Sequence, residues 1–168
     1  VSEISPGTNL GQIPEGLPSE VDTSNISIKW IDVPYANISE AEKMDIFLPN
    51  NGRGPFPVVV SIHGGGFALV DKTGQGLSDA LSALNRSYAV VSVNYRLSGE
   101  AKFPAQINDV KAAIRYVRAN AGIYNLNPNK IAVWGGSAGG NLAALAGTSG
   151  DISELENKVL LSLFKAIN

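Results

Sequence analysis

The stretch KIAVWGGSAGGNLAALAG, residues 130–147, carries the clearest structural signal of the sequence. Residues 130–135 are almost continuously apolar, which is typical of a strand that is covered on both faces. Residues 138–147 are small and mostly apolar, which favours a closely packed helix. Glycines flank Ser137 between these two patterns. The stretch therefore predicts a strand, a tight turn and a helix in direct succession.

Two earlier runs have the same apolar character as residues 130–135. They are FPVVVSI at residues 56–62 and YAVVSVNY at residues 88–95. Helical patterns separate the three runs, with a weak one at residues 77–85 and a stronger one at residues 105–121. Strands that alternate with helices predict an α/β fold with a mainly parallel sheet and right-handed crossover helices.

The helix predicted over residues 105–121 has one apolar face and well-marked ends. Pro104 precedes its first turn and Gly122 follows its last turn, as is usual for helices. The apolar positions recur at intervals of three and four residues: Ile107, Val110, Ile114, Val117 and Ala121. This spacing predicts a helix that packs one face against the sheet.

The two ends of the chain have different patterns. Residues 26–36 and 42–49 alternate in part between polar and apolar side chains, which predicts an antiparallel pair at the edge of the sheet. Residues 1–24 are rich in Pro, Gly, Ser and Glu and predict an irregular arm on the surface. Residues 152–168 begin with a capping box that favours a helix, although the run VLLSLF within them also suits a strand. We expect the whole chain to form one domain.

Composition excludes several classes of function. The chain has 168 residues, 44% of them hydrophobic, and a net charge of −2, which fits one globular domain. Without cysteine and with a single histidine, it predicts no disulfide, no metal site and no cofactor. The sequence pI of about 5.4, without a basic run, argues against nucleic acid as a partner.

No stretch approaches the roughly 20 consecutive apolar residues that a membrane-spanning helix needs. We therefore expect a soluble chain without a membrane span. The sequence starts at Val1 rather than Met, which fits equally a removed leader and a shortened N-terminus. Both secreted and cytoplasmic locations stay open.

The turn GGSAG, residues 135–139, matches the G-x-S-x-G nucleophile elbow. In that motif the serine adopts strained backbone angles at a sharp strand-to-helix turn. Residues two positions away on either side must lack side chains, and Gly135 and Gly139 meet this requirement. We predict that Ser137 projects its hydroxyl from the carboxyl ends of the strands and that it is a nucleophile.

A second glycine-rich segment, HGGG at residues 63–66, follows the predicted strand at residues 56–62. A serine that attacks a carbonyl carbon creates an oxyanion, which preorganised backbone N–H groups stabilise. Consecutive glycines let such groups turn inward without steric hindrance. We predict an oxyanion hole formed by the amides of Gly65, Gly66 and Ala138, the residue after the nucleophile.

Four motifs in order resemble the α/β-hydrolase superfamily. The resemblance is greatest to its esterase and lipase branch, typified by hormone-sensitive lipase and by bacterial feruloyl-esterase-like carbohydrate esterases, and it covers about residues 26–150. The motifs are HGGGF (63–67), VNYRL (93–97), FPAQINDVKAAIRYV (103–117) and WGGSAGGNLAAL (134–145). The resemblance implies Ser137 as nucleophile, with Gly65, Gly66 and Ala138 as the oxyanion hole.

The same resemblance implies that His63 shapes the oxyanion loop and is not the catalytic base. In this family the base is a histidine far downstream of the serine, with an acidic residue between the two. No histidine follows Ser137, and Asp151, Glu154 and Glu156 come too soon after it to match the acid. We therefore expect a partial α/β-hydrolase domain without its acid and base. A non-standard arrangement in which His63 reaches the serine stays open.

Other polar residues have simpler explanations. We expect Asp109 at the start of the helix over residues 105–121, where it favours the helix dipole or ties a loop. Tyr95 and Arg96 lie at a strand end and could line a pocket, although Arg96 fits a structural ion pair equally well. The segment GGSAGG does not have the spacing of a dinucleotide-binding G-x-G-x-x-G motif.

Two functions stay in contention. The first is a carboxylic-ester hydrolase of small esters, whose acid and base come from a missing segment or another chain. The second is a truncated, non-catalytic domain that at most binds a small ester. The outer edge of the strand at residues 130–135 is predicted to be unpaired, and such an edge needs a cover. Residues 152–168 could fold back over it, but we expect a homo-oligomer or a complementary C-terminal fragment to cover it.

Overall fold

The computed structural model describes residues 20–150 and Leu155. Their strands form one five-stranded sheet in the order β1-β2-β4-β3-β5. The strands are β1 (Lys29–Pro34), β2 (Lys43–Phe47), β3 (Phe56–Ile62), β4 (Ala89–Val93) and β5 (Leu126–Gly135). The helices are α1 (Gln75–Leu81), α2 (Ala105–Ala119) and α3 (Ala138–Thr148), and a 3₁₀ helix (Ser82–Arg86) follows α1.

The sheet is mixed but mostly parallel, which confirms the predicted α/β class. Strand β3 lies between β4 and β5 and is parallel to both. Strands β1 and β2 form the predicted antiparallel pair, and β2 is also antiparallel to β4. Every residue of β4 is buried, as expected of a strand that is covered on both faces.

The helices agree with the sequence patterns except at their ends. Helix α2 covers most of the predicted range, and Ile107, Val110 and Val117 on its apolar face are fully buried. The helix predicted over residues 77–85 is instead a short α-helix that continues as a 3₁₀ helix and ends at Ser87, whose φ is 60°. In this segment Leu77 and Ala80 of α1 are buried, whereas the 3₁₀ helix has no buried residue.

Strand β5 pairs with β3 on one side, and no other described strand pairs with it. Its residue Trp134 is 53% exposed. Residues 1–19 of the predicted arm lie outside the described part of the chain. The predicted terminal helix also lies outside it, except for Leu155, which packs against the main core. Within the described part of the chain, no helix is both long and apolar enough to cross a membrane.

Candidate active site

Ser137 lies at the sharp turn between β5 and α3. Its backbone has φ 53° and ψ −122°, a conformation that residues with a side chain rarely adopt, and the residue is exposed. Its carbonyl oxygen accepts a hydrogen bond from the N–H of Asn141 at 3.0 Å, in the first turn of α3. The predicted strained strand-to-helix turn is confirmed.

The glycines on both sides of Ser137 are sterically required. A Cβ atom at Gly139 would overlap the carbonyl oxygen of Ile62 at the end of β3. A Cβ atom at Gly135 would overlap the carbonyl group of Gly139 itself. The turn can therefore form only because both positions lack a side chain, which is the reason that the sequence pattern suggested.

The loop after β3, which we call the glycine loop (residues 63–71), lies directly against this turn. A Cβ atom at Gly64 would lie 3.1 Å from the carbonyl oxygen of Gly136 and 3.5 Å from Cβ of Ser137. Gly65 has φ +90° and Gly66 has φ +62°, so both use conformations that favour glycine. The two glycine-rich segments of the sequence thus meet at the carboxyl ends of β3 and β5.

The three amides predicted for the oxyanion hole have no backbone acceptor in the described part of the chain. The glycine loop folds back on itself, since the carbonyl oxygen of Gly65 accepts hydrogen bonds from Ala68 and Leu69, each at 3.0 Å. No backbone bond among the described residues uses the N–H of Gly65 or Gly66. Ala138 is the first residue of α3, where an N–H group has no acceptor within the helix.

His63 is buried at the start of the glycine loop and is 5% exposed. Its Nδ1 donates a hydrogen bond to the carbonyl oxygen of Gly64 at 2.9 Å, and its ring stacks on that of Tyr95 with 4.3 Å between centroids. Burial lowers the pKa of His63 below its usual value, and the bond to Gly64 opposes this shift. These contacts favour a neutral ring that shapes the loop, and the predicted structural role of His63 remains a prediction.

Tyr95, which follows β4, contacts the start of the glycine loop. It is 1% exposed, and its hydroxyl donates to the carbonyl oxygen of His63 at 2.9 Å and lies 3.3 Å from that of Gly64. Burial raises the pKa of Tyr95 to about 12. The Tyr95 hydroxyl thus contacts two carbonyl groups of the loop, and Tyr95 also borders a surface pocket together with His63 and Asn94. That Tyr95 lines the substrate pocket remains a prediction.

Arg96 and Asp109 form a buried ion pair next to Tyr95. The guanidinium contacts the carboxylate through Nη2 to Oδ1 at 2.6 Å and Nε to Oδ2 at 2.9 Å, and the N–H of Arg96 donates to Oδ2 at 3.0 Å. The bond to Asp109 raises the pKa of Arg96. Asp109 is the fifth residue of α2, beyond its first turn, and its carboxylate bonds the backbone N–H of Arg96. Of its two predicted roles, the structure therefore supports the one in which Asp109 holds a loop.

Sequence reasoning missed Lys72 and Asp45. Both side chains are almost completely buried, and Nζ of Lys72 lies 3.0 Å from Oδ2 of Asp45. The available signal was the charged residue between the apolar residues Met44 and Ile46. Among the described residues, no three acidic or histidine side chains are grouped as a metal ion would require.

Comparisons with known proteins point to one family. The BD-FAE family model matches residues 44–165. The chain is 41% identical over 100 residues to the carboxylesterase NlhH of Mycobacterium tuberculosis, which covers 60% of this chain and 31% of that protein. It is 38% identical over 117 residues to an acetylxylan esterase of Xylanibacter ruminicola, which covers 67% of this chain and 23% of that enzyme.

Solved structures give the same result for the fold. A bifunctional GH43-CE protein of Bacteroides eggerthii is similar with a TM-score of 0.66 and 44% identity, over 74% of this chain and 16% of that one. A truncated carbohydrate esterase from gut microbiota has a TM-score of 0.69 and 37% identity, over 80% of this chain and 48% of that one. The chain spans about a third or less of the curated relatives just described.

Proposed function

This chain belongs to the BD-FAE family of α/β-hydrolase esterases, and we propose that it contributes the nucleophile and the oxyanion hole of a carboxylic-ester hydrolase. The observation that carries the proposal is the backbone of Ser137, with φ 53° and ψ −122° at the end of β5. Such strain persists only where the surrounding structure enforces it, and strained residues cluster at functional sites. Here the close packing of the turn, which Gly135 and Gly139 permit, holds this backbone, and the serine that results is exposed.

The proposed reaction is acyl transfer through Ser137. Its Oγ attacks the ester carbonyl carbon and gives up its proton to a base, and the carbonyl oxygen becomes an oxyanion. Collapse of this tetrahedral intermediate breaks the bond to the alcohol, which leaves with the proton. Water then attacks the acyl-serine in the same way and releases the carboxylic acid.

The proposed oxyanion hole consists of the N–H groups of Gly65, Gly66 and Ala138. The contact of Gly64 with Ser137 supports it, since this contact brings the glycine loop beside the nucleophile. The lack of described backbone acceptors for Gly65 and Gly66 also supports it, because free donors are what an oxyanion needs. Each well-placed donor contributes roughly 3 to 4 kcal/mol to lowering the barrier.

We propose that the base and the acid come from outside these 168 residues. His63 is the single histidine of the sequence, and its ring contacts Gly64 and Tyr95. A further segment of the same polypeptide or a second chain would supply both groups. The alternative is that the chain acts without them, as a non-catalytic domain that at most binds a small ester.

The first test measures hydrolysis of p-nitrophenyl acetate by the 168-residue chain. Loss of a triad histidine costs a serine hydrolase about 10⁶-fold, whereas binding and an oxyanion hole alone leave roughly 10³ to 10⁴ over water. We expect the 168-residue chain to accelerate hydrolysis by only about 10³ to 10⁴ over water. Ordinary enzymatic turnover that Ser137→Ala abolishes would show that the base lies within this chain, with His63 as the first residue to replace.

The second test uses the natural polypeptide that contains this sequence. We expect Ser137→Ala to remove at least about 10³-fold of its esterase activity. Ser78→Ala, at an exposed serine of α1, is the matched control and should leave activity unchanged. Equal activity of the Ser137→Ala variant and the natural sequence would contradict the nucleophile. Absence of esterase activity in the natural sequence would favour the non-catalytic alternative.

The side of β5 with which no described strand pairs supports an intermolecular partner, either a second copy or a complementary fragment. Residues 131–135 are largely apolar, and β3 is their single described partner strand. Unpaired apolar edges are templates for pairing with another chain. Size-exclusion chromatography with light scattering should show an assembly larger than the monomer at micromolar concentration. A monomer whose amides at 131–134 are protected from exchange by its own residues 152–168 would contradict this proposal.

A further inference from the structure

Lys72 is buried directly after the glycine loop and holds two carboxylates. The residue is 6% exposed, and its Nζ lies 3.0 Å from Oδ2 of Asp45 on β2 and 2.9 Å from Oδ1 of Asp32 on β1. We call these three side chains the Lys72 clamp. Asp45 is buried, whereas the side chain of Asp32 is 60% exposed. The end of the loop is therefore tied to the antiparallel edge of the sheet, on the side away from β5.

The main chain of Lys72 is fixed as well. Its N–H donates to Oδ1 of Asn94 at 2.6 Å, and its carbonyl oxygen accepts from Oγ of Ser92 at 2.6 Å. Ser92 lies on β4, and Asn94 follows that strand directly. One residue thus connects the chain after the glycine loop to β1, β2 and the end of β4 through both its backbone and its ammonium group.

Asp45 uses both of its carboxylate oxygens. While Oδ2 faces Lys72, Oδ1 accepts a hydrogen bond from the N–H of Asp32 at 2.8 Å. Asp32 has φ 55° and lies where the register of β1 against β2 shifts. The irregularity in β1 therefore turns the Asp32 carboxylate toward Lys72.

The clamp keeps Lys72 charged despite its burial. Burial by itself lowers the pKa of Lys72, but the bonds to Asp32 and Asp45 together outweigh this effect and hold the pKa above its usual value. The ammonium therefore persists through neutral pH. A charge that is this deeply buried is stable only with such partners.

Gly65 packs on the part of the glycine loop that leads to Lys72. Gly65 packs so closely on the chain ahead of Lys72 that a Cβ atom there would overlap the carbonyl oxygen of Leu69, and it would lie 2.6 Å from Cγ2 of Val70. The carbonyl oxygen of Gly65 also accepts the N–H of Leu69 at 3.0 Å. Lys72 follows Val70 by two residues. A shift of Lys72 would therefore also move Leu69 and Val70, the residues on which Gly65 packs.

We propose that the Lys72 clamp is a positioning device for the glycine loop, and that Lys72 acts on the reaction through the amides of Gly65 and Gly66. The catalytic part of this inference rests on the proposed function. It assigns a role to the antiparallel edge of the sheet, which lies on the opposite side of β3 from Ser137. The clamp would hold the two donors ready before substrate binds, which is the condition for strong oxyanion stabilisation.

The first experiment is amide hydrogen exchange on the 168-residue chain. Lys72→Met removes the ammonium and keeps the length of the side chain, and Lys43→Met is the control because Lys43 pairs with exposed Glu40 at 2.7 Å on the surface. We expect exchange of the Ala68 and Leu69 amides, which are hydrogen-bonded to the carbonyl oxygen of Gly65, to become at least about tenfold faster in Lys72→Met, with the amides of β5 and α3 unchanged relative to the control.

Lys72→Met leaves the buried Asp45 without its cation, which is strongly destabilising, so Asp32→Asn is the second variant and keeps the test valid if Lys72→Met does not fold. Asp32 is partly exposed, and asparagine tolerates a positive φ, so the variant should fold. It removes one of the two charges that hold Lys72. Faster exchange confined to residues 64–71 supports the clamp, whereas unchanged or uniformly faster exchange in Asp32→Asn overturns it.

The second experiment separates positioning from simple stability. In the natural polypeptide that contains this sequence, the clamp variants should lower kcat for p-nitrophenyl acetate by about 10- to 100-fold and change KM by less than about threefold. An unchanged kcat in a variant with a loosened loop would overturn the role in the reaction. If the unsubstituted polypeptide hydrolyses no ester, the proposed function fails, and hydrogen exchange still decides whether the clamp holds the loop.

Discussion

The elbow at residues 135–139 and the glycine loop at residues 63–71 follow neighbouring parallel strands, yet they are held in different ways. The elbow is fixed by close backbone contacts, since Gly135 packs on Gly139 and Gly139 packs on the end of β3. The glycine loop is fixed by side chains from distant parts of the sequence, among them Tyr95, which bonds His63, and Asn94, which bonds the N–H of Lys72 just after the loop. A turn that depends on missing side chains is visible as a glycine pattern, whereas a loop that depends on remote partners is not.

The largest effect is expected at the elbow, for Gly139→Ala. The added methyl group would overlap the carbonyl oxygen of Ile62. Because the backbone fixes the position of a Cβ atom and the oxygen is itself backbone, no side-chain rotation can relieve the strain. We expect the free energy of unfolding to fall by about 3 kcal/mol, measured by urea denaturation. The control is Gly147→Ala in α3, where a Cβ atom meets nothing within 4 Å.

Gly147→Ala should be neutral or stabilise the protein by about 0.5 to 1 kcal/mol, because alanine is the better helix former. A similar small change for both alanine variants would mean that the elbow is looser than the contacts at Gly139 imply. The contrast between the elbow and the glycine loop would then lose its steric basis.

Within the glycine loop, Gly65→Ala and Gly66→Ala separate crowding from backbone conformation. Gly65 has φ +90° and no room for a Cβ atom, whereas Gly66 has φ +62° and open space around it. We expect Gly65→Ala to cost about 2 kcal/mol and Gly66→Ala about 1 kcal/mol of unfolding free energy. Equal costs at the two positions would show that the packing of Gly65 on Leu69 contributes nothing.

The parts of the fold that sequence alone predicted are those that depend on local patterns. The apolar runs gave the three parallel strands, and the spacing of Ile107, Val110 and Val117 gave α2. The glycines at 135 and 139 predicted the strained conformation of Ser137, because the steric requirement lies within a few residues of the serine.

The supports of the site were beyond local patterns. Tyr95 reaches the carbonyl oxygen of His63 across 32 positions of sequence, and Asp45 meets Lys72 across 27. Such pairs follow from strand order and register, which no spacing in a single sequence specifies. The position of Asp45 between apolar Met44 and Ile46 indicated that its carboxylate needed a partner, but it did not indicate which lysine would provide one.

Tyr95→Phe removes one contact between the glycine loop and a distant part of the sequence, and its expected effect is no larger than that of the two glycine-loop variants. The variant keeps the ring that stacks on His63 and removes the hydroxyl that donates to its carbonyl oxygen. We expect a loss of about 1 kcal/mol in unfolding free energy, together with faster amide exchange in the glycine loop and not in the elbow. Tyr88→Phe, at a tyrosine that is 40% exposed, is the control and should change neither quantity. Equal acceleration of exchange in the loop and the elbow by Tyr95→Phe would contradict a support that is specific to the loop.

The smallest expected effect is a dependence of stability on pH that belongs to the glycine loop, because the elbow contains no titratable side chain. Burial lowers the pKa of His63 in the folded protein below its usual value near 6.5. Between these two pKa values the unfolded chain binds more protons than the folded protein. The free energy of unfolding should therefore fall as pH decreases through this window, by at most about 1.4 kcal/mol per pH unit, and the contribution of His63 should be constant above it.

His63→Asn isolates this contribution in urea denaturations between pH 5 and 8. Loss of the stacked ring lowers stability at every pH, so the informative quantity is the difference in unfolding free energy between the natural sequence and the variant. Burial raises the pKa of Glu42, which favours the folded state as pH falls, but Glu42 is present in both proteins and its effect cancels. The difference should be constant above pH 7 and should shrink as pH decreases toward 5. A difference that stays constant over the whole range would mean that His63 titrates as it does in the unfolded chain. The loop would then be open to solvent at its first residue, contrary to the burial of the His63 side chain.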